Sequence, residues 1–266
     1  MVFLMEAFTI KTPIVQTGND LFQIFTQNFD DRLEEGDVVS VASKVVSMSQ
    51  GRIVRLADVT SSQTALSMRK KKYSKDFDTY PELAELVIRE ADQIFEDGLV
   101  CLTLKNSIFI PSAGIDLSNA PKGYAILWPD NPWNWAKEFR EKLKKHYDVH
   151  KLGTLIADSH CAPLRKGVSG LALAYSGFEG VQDERGKKDL FGKPLVVTQK
   201  AVADDLASVA ILLTGEAGEC TPFAVIRAAP IQFTEREINH LETVISPTDD
   251  LFAGIYNEEF KAGVLL

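Results

Sequence analysis

Along this chain the apolar pattern switches repeatedly between the alternation of a strand and the longer period of a helix, yet no steady strand–helix–strand rhythm develops. A doubly wound parallel sheet needs that rhythm, because each parallel neighbour is reached through a long crossover, usually helical. Its absence points to the α+β class, with mixed or antiparallel sheets and helices set among them. The 266 residues, 45% of them apolar, can bury a sizeable core as one large unit or two closely associated smaller ones. No internal repeat, Pro/Gly/Ser tract or shift in composition marks a boundary between them.

The periodicities predict the following elements. Leu21, Phe22, Ile24, Phe25, Phe29 and Leu33 fall on one helical face, with Asn19 as the cap. Asp37 to Ala42 reads as a strand, followed by a turn at Gln50-Gly51 and a second strand from Ile53 to Leu56. Pro81 opens a helix whose apolar face carries Leu83, Leu86, Val87, Ala91 and Ile94. The runs Leu99 to Leu104 and Ser107 to Ile110 form a hairpin about Lys105-Asn106. A helix from Pro132 to His146 precedes a buried strand from Gly153 to Ala157. The glycine-rich stretch from Gly167 to Gly192 reads as a strand between long functional loops. Val202 to Leu213 is an apolar helix, and Phe223 to Arg227 a last strand.

Charge and cysteine content narrow the functional classes. A net charge of −8 repels a phosphate backbone, which argues against nucleic acid as a main partner. The one basic run, Arg69 to Lys72, lies in a polar stretch and reads as a solvated loop. Met1 to Ala7 has no positive leader and is too short for a signal peptide or a membrane span. Cys101, Cys161 and Cys220 are odd in number and widely spaced, which fits a reducing, cytoplasmic setting better than a disulfide or zinc scaffold.

Three acidic segments sit beside turn residues at element ends: Ser112 to Asn119 with Asp116 and Ser118, Leu155 to Ser159 with Asp158, and Thr214 to Gly218 with Glu216. Carboxylates, a hydroxyl and phosphate oxygens are what a hard divalent cation takes. Each carboxylate taken singly more often caps a helix or stabilises a turn. No Walker loop or dinucleotide fingerprint is present, so a nucleotide would have to be held in another way.

Taken together the segments resemble the coenzyme F-420:L-glutamate ligase family. The likeness rests on Thr12-Pro13 with Gly18 to Leu21, Glu35 to Ser47 with Gly51-Arg52, and Ala113 to Asn119. It continues through Ile156 to Ser159 with Pro163 and Arg165, Asp183 to Gly186, Asp189 to Gly192, Val202 to Leu206 and Gly215-Glu216. Each piece is weak, whereas their order over Thr12 to Arg227 is highly specific.

The resemblance implies a two-lobed fold, intertwined with a second copy into a butterfly-shaped homodimer. It implies GTP as co-substrate, two divalent metals (Mn²⁺ or Mg²⁺) with K⁺ assistance, and γ-linked addition of L-glutamate to a phosphorylated acceptor. Carried over by position, Asp116 and Asp158 hold one metal, and Ser159 and Glu216 the other. Thr12, Pro13, Ile14, Val15, Ser43, Lys44, Asn119, Gly215, Ala217 and Gly218 contact the nucleotide. Two departures bear on the site: Met48 stands where many relatives have a phosphate-contacting lysine, and Ser112 replaces the usual asparagine. A glutamyl ligase for another acceptor, such as a folate, and a nucleotide-binding homologue without turnover are the alternatives.

Overall fold

The computed structural model describes residues 4–69, 81–95 and 101–256. Its elements begin with β1 (Glu6–Ile10), α1 (Leu21–Asn28), β2 (Asp37–Ala42) and α2 (Ser43–Ser49). Next come β3 (Ile53–Arg55), α3 (Gln63–Arg69), α4 (Pro81–Glu90), β4 (Gln93–Phe95), β5 (Leu102–Lys105), β6 (Ile108–Pro111) and β7 (Tyr124–Ile126). The chain continues through α5 (Pro132–Tyr147), β8 (Leu152–Cys161), β9 (Val168–Ser176), β10 (Gln182–Asp183) and β11 (Gln199–Lys200). Last are α6 (Val202–Thr214) and β12 (Phe223–Arg227). Two compact units result, each from two separate stretches: Met1–Ser49 with Asn131–Thr243, and Gln50–Asp130 with Val244–Leu266.

The first unit is built on a five-stranded sheet in the order β1-β12-β2-β8-β9. Only the β2–β8 pair is parallel; the other neighbours run antiparallel, so the sheet is mixed as the sequence predicts. Val38, Val39 and Val41 of β2 and Phe223 to Ile226 of β12 are wholly buried, the signature of strands covered on both faces. On one face Ala203, Leu206 and Ala207 of α6 pack against Val38, Leu155, Ala157, Ala172 and Ile226. On the other, Phe25 of α1, Phe139 of α5 and Phe223 form an aromatic cluster, with centroids 5.4–6.4 Å apart. At Gly170 the backbone of α6 comes so near β9 that an added Cβ would lie 2.1 Å from the Ser208 amide nitrogen. Asp37 has no exposed surface: it accepts from Arg227 Nε and Nη2, each at 3.0 Å, and from the Glu34 amide at 2.8 Å.

Local chemistry explains where these elements begin and end. Asp20, not Asn19, caps α1 by accepting from the Phe22 amide, while Asn19 accepts from Gln16. The helix stops at Asn28; Phe29 and Leu33 stay buried as loop residues instead of extending its face. Helix α2 occupies a stretch in which the sequence pattern foretold no helix, ahead of the turn at Gln50-Gly51. Proline opens α5 at its first turn, and Lys144, Lys145 and His146 complement its carboxyl end. Strand β8 runs on to Cys161, past the expected end at Ala157. Among the described residues no helix is long and apolar enough to cross a membrane.

The second unit holds the antiparallel meander β4-β5-β6 and the pair β3-β7. Asn106 and Ser107, both at positive φ, turn the β5–β6 hairpin, one residue beyond the expected tip. Leu99 and Val100, the start of its expected first strand, lie outside the described residues, as do Lys70 to Lys72 of the basic run. Ile94 belongs to β4 and not to the α4 face, and Leu56 starts a short 3-10 turn instead of closing β3. Ala65 and Met68 of α3 pack against Leu83, Ala84 and Val87 of α4, and Cys101 joins them.

Candidate active site

Strand directions in the first unit bring five chain ends to one edge of the sheet. The carboxyl ends of β1, β2 and β8 and the amino ends of β12 and β9 all emerge there, as their pairings require. Thr12, buried two residues beyond β1, donates its amide to the Cys220 carbonyl at 2.9 Å. Ser43, also buried, directly follows Ala42, whose amide bonds the Pro222 carbonyl at 2.9 Å. The loop between α6 and β12 is thereby laced to the ends of both β1 and β2. Within the loop, Thr221 Oγ1 bonds the Thr214 carbonyl at 2.9 Å and the Ala217 amide bonds Glu219 at 2.8 Å. Gly215 is needed where this loop leaves α6: its φ is +75°, and a Cβ there would lie 2.5 Å from the Glu219 carboxyl carbon.

Two of the expected metal-site residues meet at this edge. Ser159 Oγ donates to Glu216 Oε2 at 3.4 Å, joining β8 to the exposed loop after α6. Asp158, half-buried beside it, accepts from the Ser159 amide at 2.8 Å. Gly170 faces Ser159 across the β8–β9 ladder, and its amide bonds Ser208 Oγ of α6 at 3.1 Å. Asp204, on the first turn of α6, accepts from the Ala172 amide; burial raises its carboxyl above the usual range. Pro13 and Ile14 are exposed, Val15 is buried, and Lys44 is half-buried at the start of α2.

Asp116 and Asn119 belong to the second unit. The Asp116 carboxylate accepts from Ser118 twice, from its amide at 2.6 Å and from its hydroxyl at 2.9 Å. Its backbone exchanges hydrogen bonds with Ile126 at 3.0 and 2.8 Å. Just before it, Ser112, Ala113 and Gly114 form a left-handed turn with φ of 52°, 55° and 70°. For the two non-glycine residues this conformation costs about 1–2 kcal/mol each. Gly114 lies beneath the Trp128 indole, where a Cβ would be 2.2 Å from the ring. Near the ring, buried Lys105 is ion-paired to half-buried Glu90 and lies 6.0 Å from the Trp128 centroid, and Glu90 also takes Arg52 at 2.7 Å.

The donors on offer are all hard oxygens. Among the described residues no three His, Cys, Asp or Glu side chains gather tightly enough to enclose a metal ion. Asp158, Ser159 and Glu216 still fit a divalent cation of the Mg²⁺ type, which takes one or two carboxylates and completes its shell with water and phosphate oxygens. The Asp116 carboxylate, both of whose oxygens accept from Ser118, is likewise a hard-oxygen donor of the kind a divalent cation takes.

Comparison with known proteins gives this edge a context. A match to the F420-0:Gamma-glutamyl ligase family covers residues 9–228. The chain belongs to that family. Coenzyme F420:L-glutamate ligase of Methanopyrus kandleri is 34% identical over 242 residues, spanning 90% of this chain and 93% of the relative. The proteins of the same name from Methanococcus maripaludis and Methanocaldococcus jannaschii are 33% and 32% identical, each over 86% of this chain and 90% of its own length. The family match takes in Thr12, Ser43, Asp116, Asp158, Ser159 and Glu216, and ends just past β12.

Sequence reasoning thus named residues whose backbone the fold brings to one edge, namely Thr12, Ser43, Ser159, Glu216 and the loop from Gly215, with a side-chain contact between Ser159 and Glu216. It did not single out Thr103 or Trp128, which shape the turn before Asp116. Thr103 looks like any strand threonine in the sequence, and no local pattern distinguishes it.

Proposed function

We propose that this member of the F420-0:Gamma-glutamyl ligase family is a GTP- and divalent-metal-dependent ligase that joins L-glutamate to coenzyme F-420-0. The gathering of Thr12, Ser43, Ser159, Glu216 and the Gly215–Gly218 loop at one sheet edge, inside the family match, carries the reading. In the reaction, an acceptor carboxylate oxygen attacks the γ-phosphorus and the bond to the β-phosphate oxygen breaks, giving GDP and an acyl phosphate. The glutamate amine, having lost a proton, then attacks the acyl carbon. The carbon–oxygen bond to phosphate breaks, and an amide and inorganic phosphate remain.

Asp158, Ser159 and Glu216 would hold divalent cation at the sheet edge, and Asp116 would offer its carboxylate to cation in the second unit. Bound there, Mg²⁺ or Mn²⁺ neutralises charge on the triphosphate and on the transferring phosphoryl group. Thr12, Pro13, Ile14, Val15, Ser43, Lys44, Asn119 and the Gly215, Ala217 and Gly218 backbone would position the nucleotide. No side-chain nucleophile is required, because positioning and electrostatics supply the catalysis.

Four large side chains of the arm around β10 and β11 support a homodimer: Leu190, Phe191, Val196 and Val197 are 99%, 88%, 76% and 71% exposed. Light scattering across a dilution series tests that assembly, and a monomer at every concentration removes it.

Mass spectrometry of the products from enzyme, Mn²⁺, GTP, L-glutamate and F-420-0 tests the activity. A glutamyl adduct formed by the wild type, and nearly abolished in Asp158→Asn, is the expected result. An adduct on a folate alone, or on no acceptor offered, overturns the assignment of acceptor or of turnover.

A further inference from the structure

We infer that Thr103 is a positioning residue for Asp116: its hydroxyl clamps the left-handed Ser112–Gly114 turn and so fixes the approach of the Asp116 carboxylate to cation. The inference rests on the reading of Asp116 as a cation ligand. Thr103 lies on β5 with no exposed surface, and both functions of its hydroxyl are used. Oγ1 donates to the Ile110 carbonyl at 2.5 Å, across the β5–β6 pair, and accepts from the Ala113 amide at 2.8 Å. The Ser112 amide reaches the Cys101 carbonyl at 2.7 Å, and the Ile115 amide closes the turn onto the Ser112 carbonyl at 3.0 Å.

The geometry makes this bond more than a packing detail. Ala113 is itself wholly buried, so without Oγ1 its amide would face apolar surroundings and lose its partner. A turn with two non-glycine residues at positive φ persists only where its surroundings over-determine it. The Thr103 hydroxyl joins the turn to the hairpin, and the Trp128 indole closes over Gly114. Asp116 is the second residue after this turn, and on its other side the Ile126 backbone holds it. The carboxylate is therefore aimed by a frame in which Thr103 is the central polar contact. Removing the hydroxyl while keeping the side-chain shape should let the turn relax and spoil the aim without touching a ligand atom.

The test uses the full-length protein and Mn²⁺ alone as the probe, with free ion counted by electron paramagnetic resonance. Measurements are made well below each variant's melting temperature, so that only folded protein is compared. Asp116→Asn should lose a Mn²⁺ site. Thr103→Val should weaken that same site by roughly tenfold, as loss of a supporting partner does at metal sites. Thr103→Ser, which restores the hydroxyl, should stay close to wild type. A purely structural threonine would lower the melting temperature of the valine variant and leave its Mn²⁺ affinity unchanged, and that result overturns the inference. Thr103→Ala paired with Thr103→Ser gives a second comparison should valine prevent folding. If neither hydroxyl-free variant folds, Thr103 serves the fold alone and the inference fails. Wild-type Mn²⁺ binding in Asp116→Asn would instead refute the reading of Asp116, a failure distinguishable from that of Thr103.

Discussion

Replacing Gly170 by alanine perturbs the contact that seats α6 on the sheet. An added Cβ would lie 2.1 Å from the Ser208 nitrogen, 2.2 Å from the Ala207 carbonyl carbon and 2.5 Å from its oxygen. All three are backbone atoms, so no side-chain rotation relieves the clash. Helix α6 would have to retreat by about 1 Å, and overpacking of this kind costs typically about 1–3 kcal/mol. The upper end applies because the helix also loses register with Leu155, Ala157 and Ala172. Alanine at an unstrained glycine site would return only about 0.4–1 kcal/mol through the unfolded chain. A net loss of about 2 kcal/mol corresponds to a fall in melting temperature of about 4–8 °C for a cooperative unit of this size. Because α6 leads directly into Gly215 and Glu216, the retreat should also draw Glu216 away from Ser159 and weaken Mn²⁺ binding. Thermal unfolding followed by circular dichroism measures the first effect and Mn²⁺ titration the second. Gly254→Ala, where no atom lies within 4 Å of the added carbon, is the control and should be near neutral. A melting temperature for Gly170→Ala equal to that of the control would refute the argument from close approach.

Further expectations concern separate parts of the molecule. Asp37→Asn leaves Arg227 without its fully buried partner and should cost about 3 kcal/mol, read as a lower urea midpoint with an unchanged slope. The paired Arg185 guanidinium, with the Arg185 amide, lowers the Asp183 carboxyl to about 2 from the ordinary 3.8. Its folded value lies below its unfolded one, so its contribution is complete above about pH 4 and lost as pH falls through about 2. A carboxyl-carbon NMR titration should show that midpoint, and Arg185→Ala should return it towards 3.8. Met48→Lys, on half-buried surface of α2, should tighten GTP binding about tenfold if that helix faces the phosphates, as calorimetric titration would read.

The parts of the fold legible in the sequence are those that packing rewards locally. Strand β12 announces itself as an apolar run, and β2 as one broken only by Ser40 after Asp37, because both their faces are buried, and α4 and α5 by a proline start and a single apolar stripe. Helix α2 was invisible for the converse reason. Its sequence, Ser43 to Ser49, is rich in serine and valine, which disfavour helix, and the burial of Val46 and Ser47 overrides that propensity. The early end of α1 was hidden because Phe29 and Leu33 are buried as loop residues and so keep the helical spacing of apolar groups. At the site, Asp158 and Ser159 could be found because an apolar strand delivers them. Their meeting with the loop after α6 could not, since it depends on a strand order that no local pattern encodes. The buried charges Asp37, Arg140 and Lys105 were equally unreadable, because each is defined by a partner distant in the chain.

The strand order also dictates a sequence of events during synthesis. The slot between β1 and β2 belongs to β12, so the first two strands of this sheet to be made cannot pair with each other in it. Strand β2 gains its parallel neighbour only when β8 emerges, after the whole of the Gln50–Asp130 stretch has been made. Until Phe223 to Arg227 arrives, β1 has no neighbour and β2 has one bare edge, the kind of surface on which chains aggregate. Contacts this distant in sequence form slowly, because loop closure must precede any stabilisation they bring. The nascent chain therefore carries β1 unpaired and β2 half-paired until the last strand is made, and the segment that seals the sheet also anchors the loop bearing Glu216.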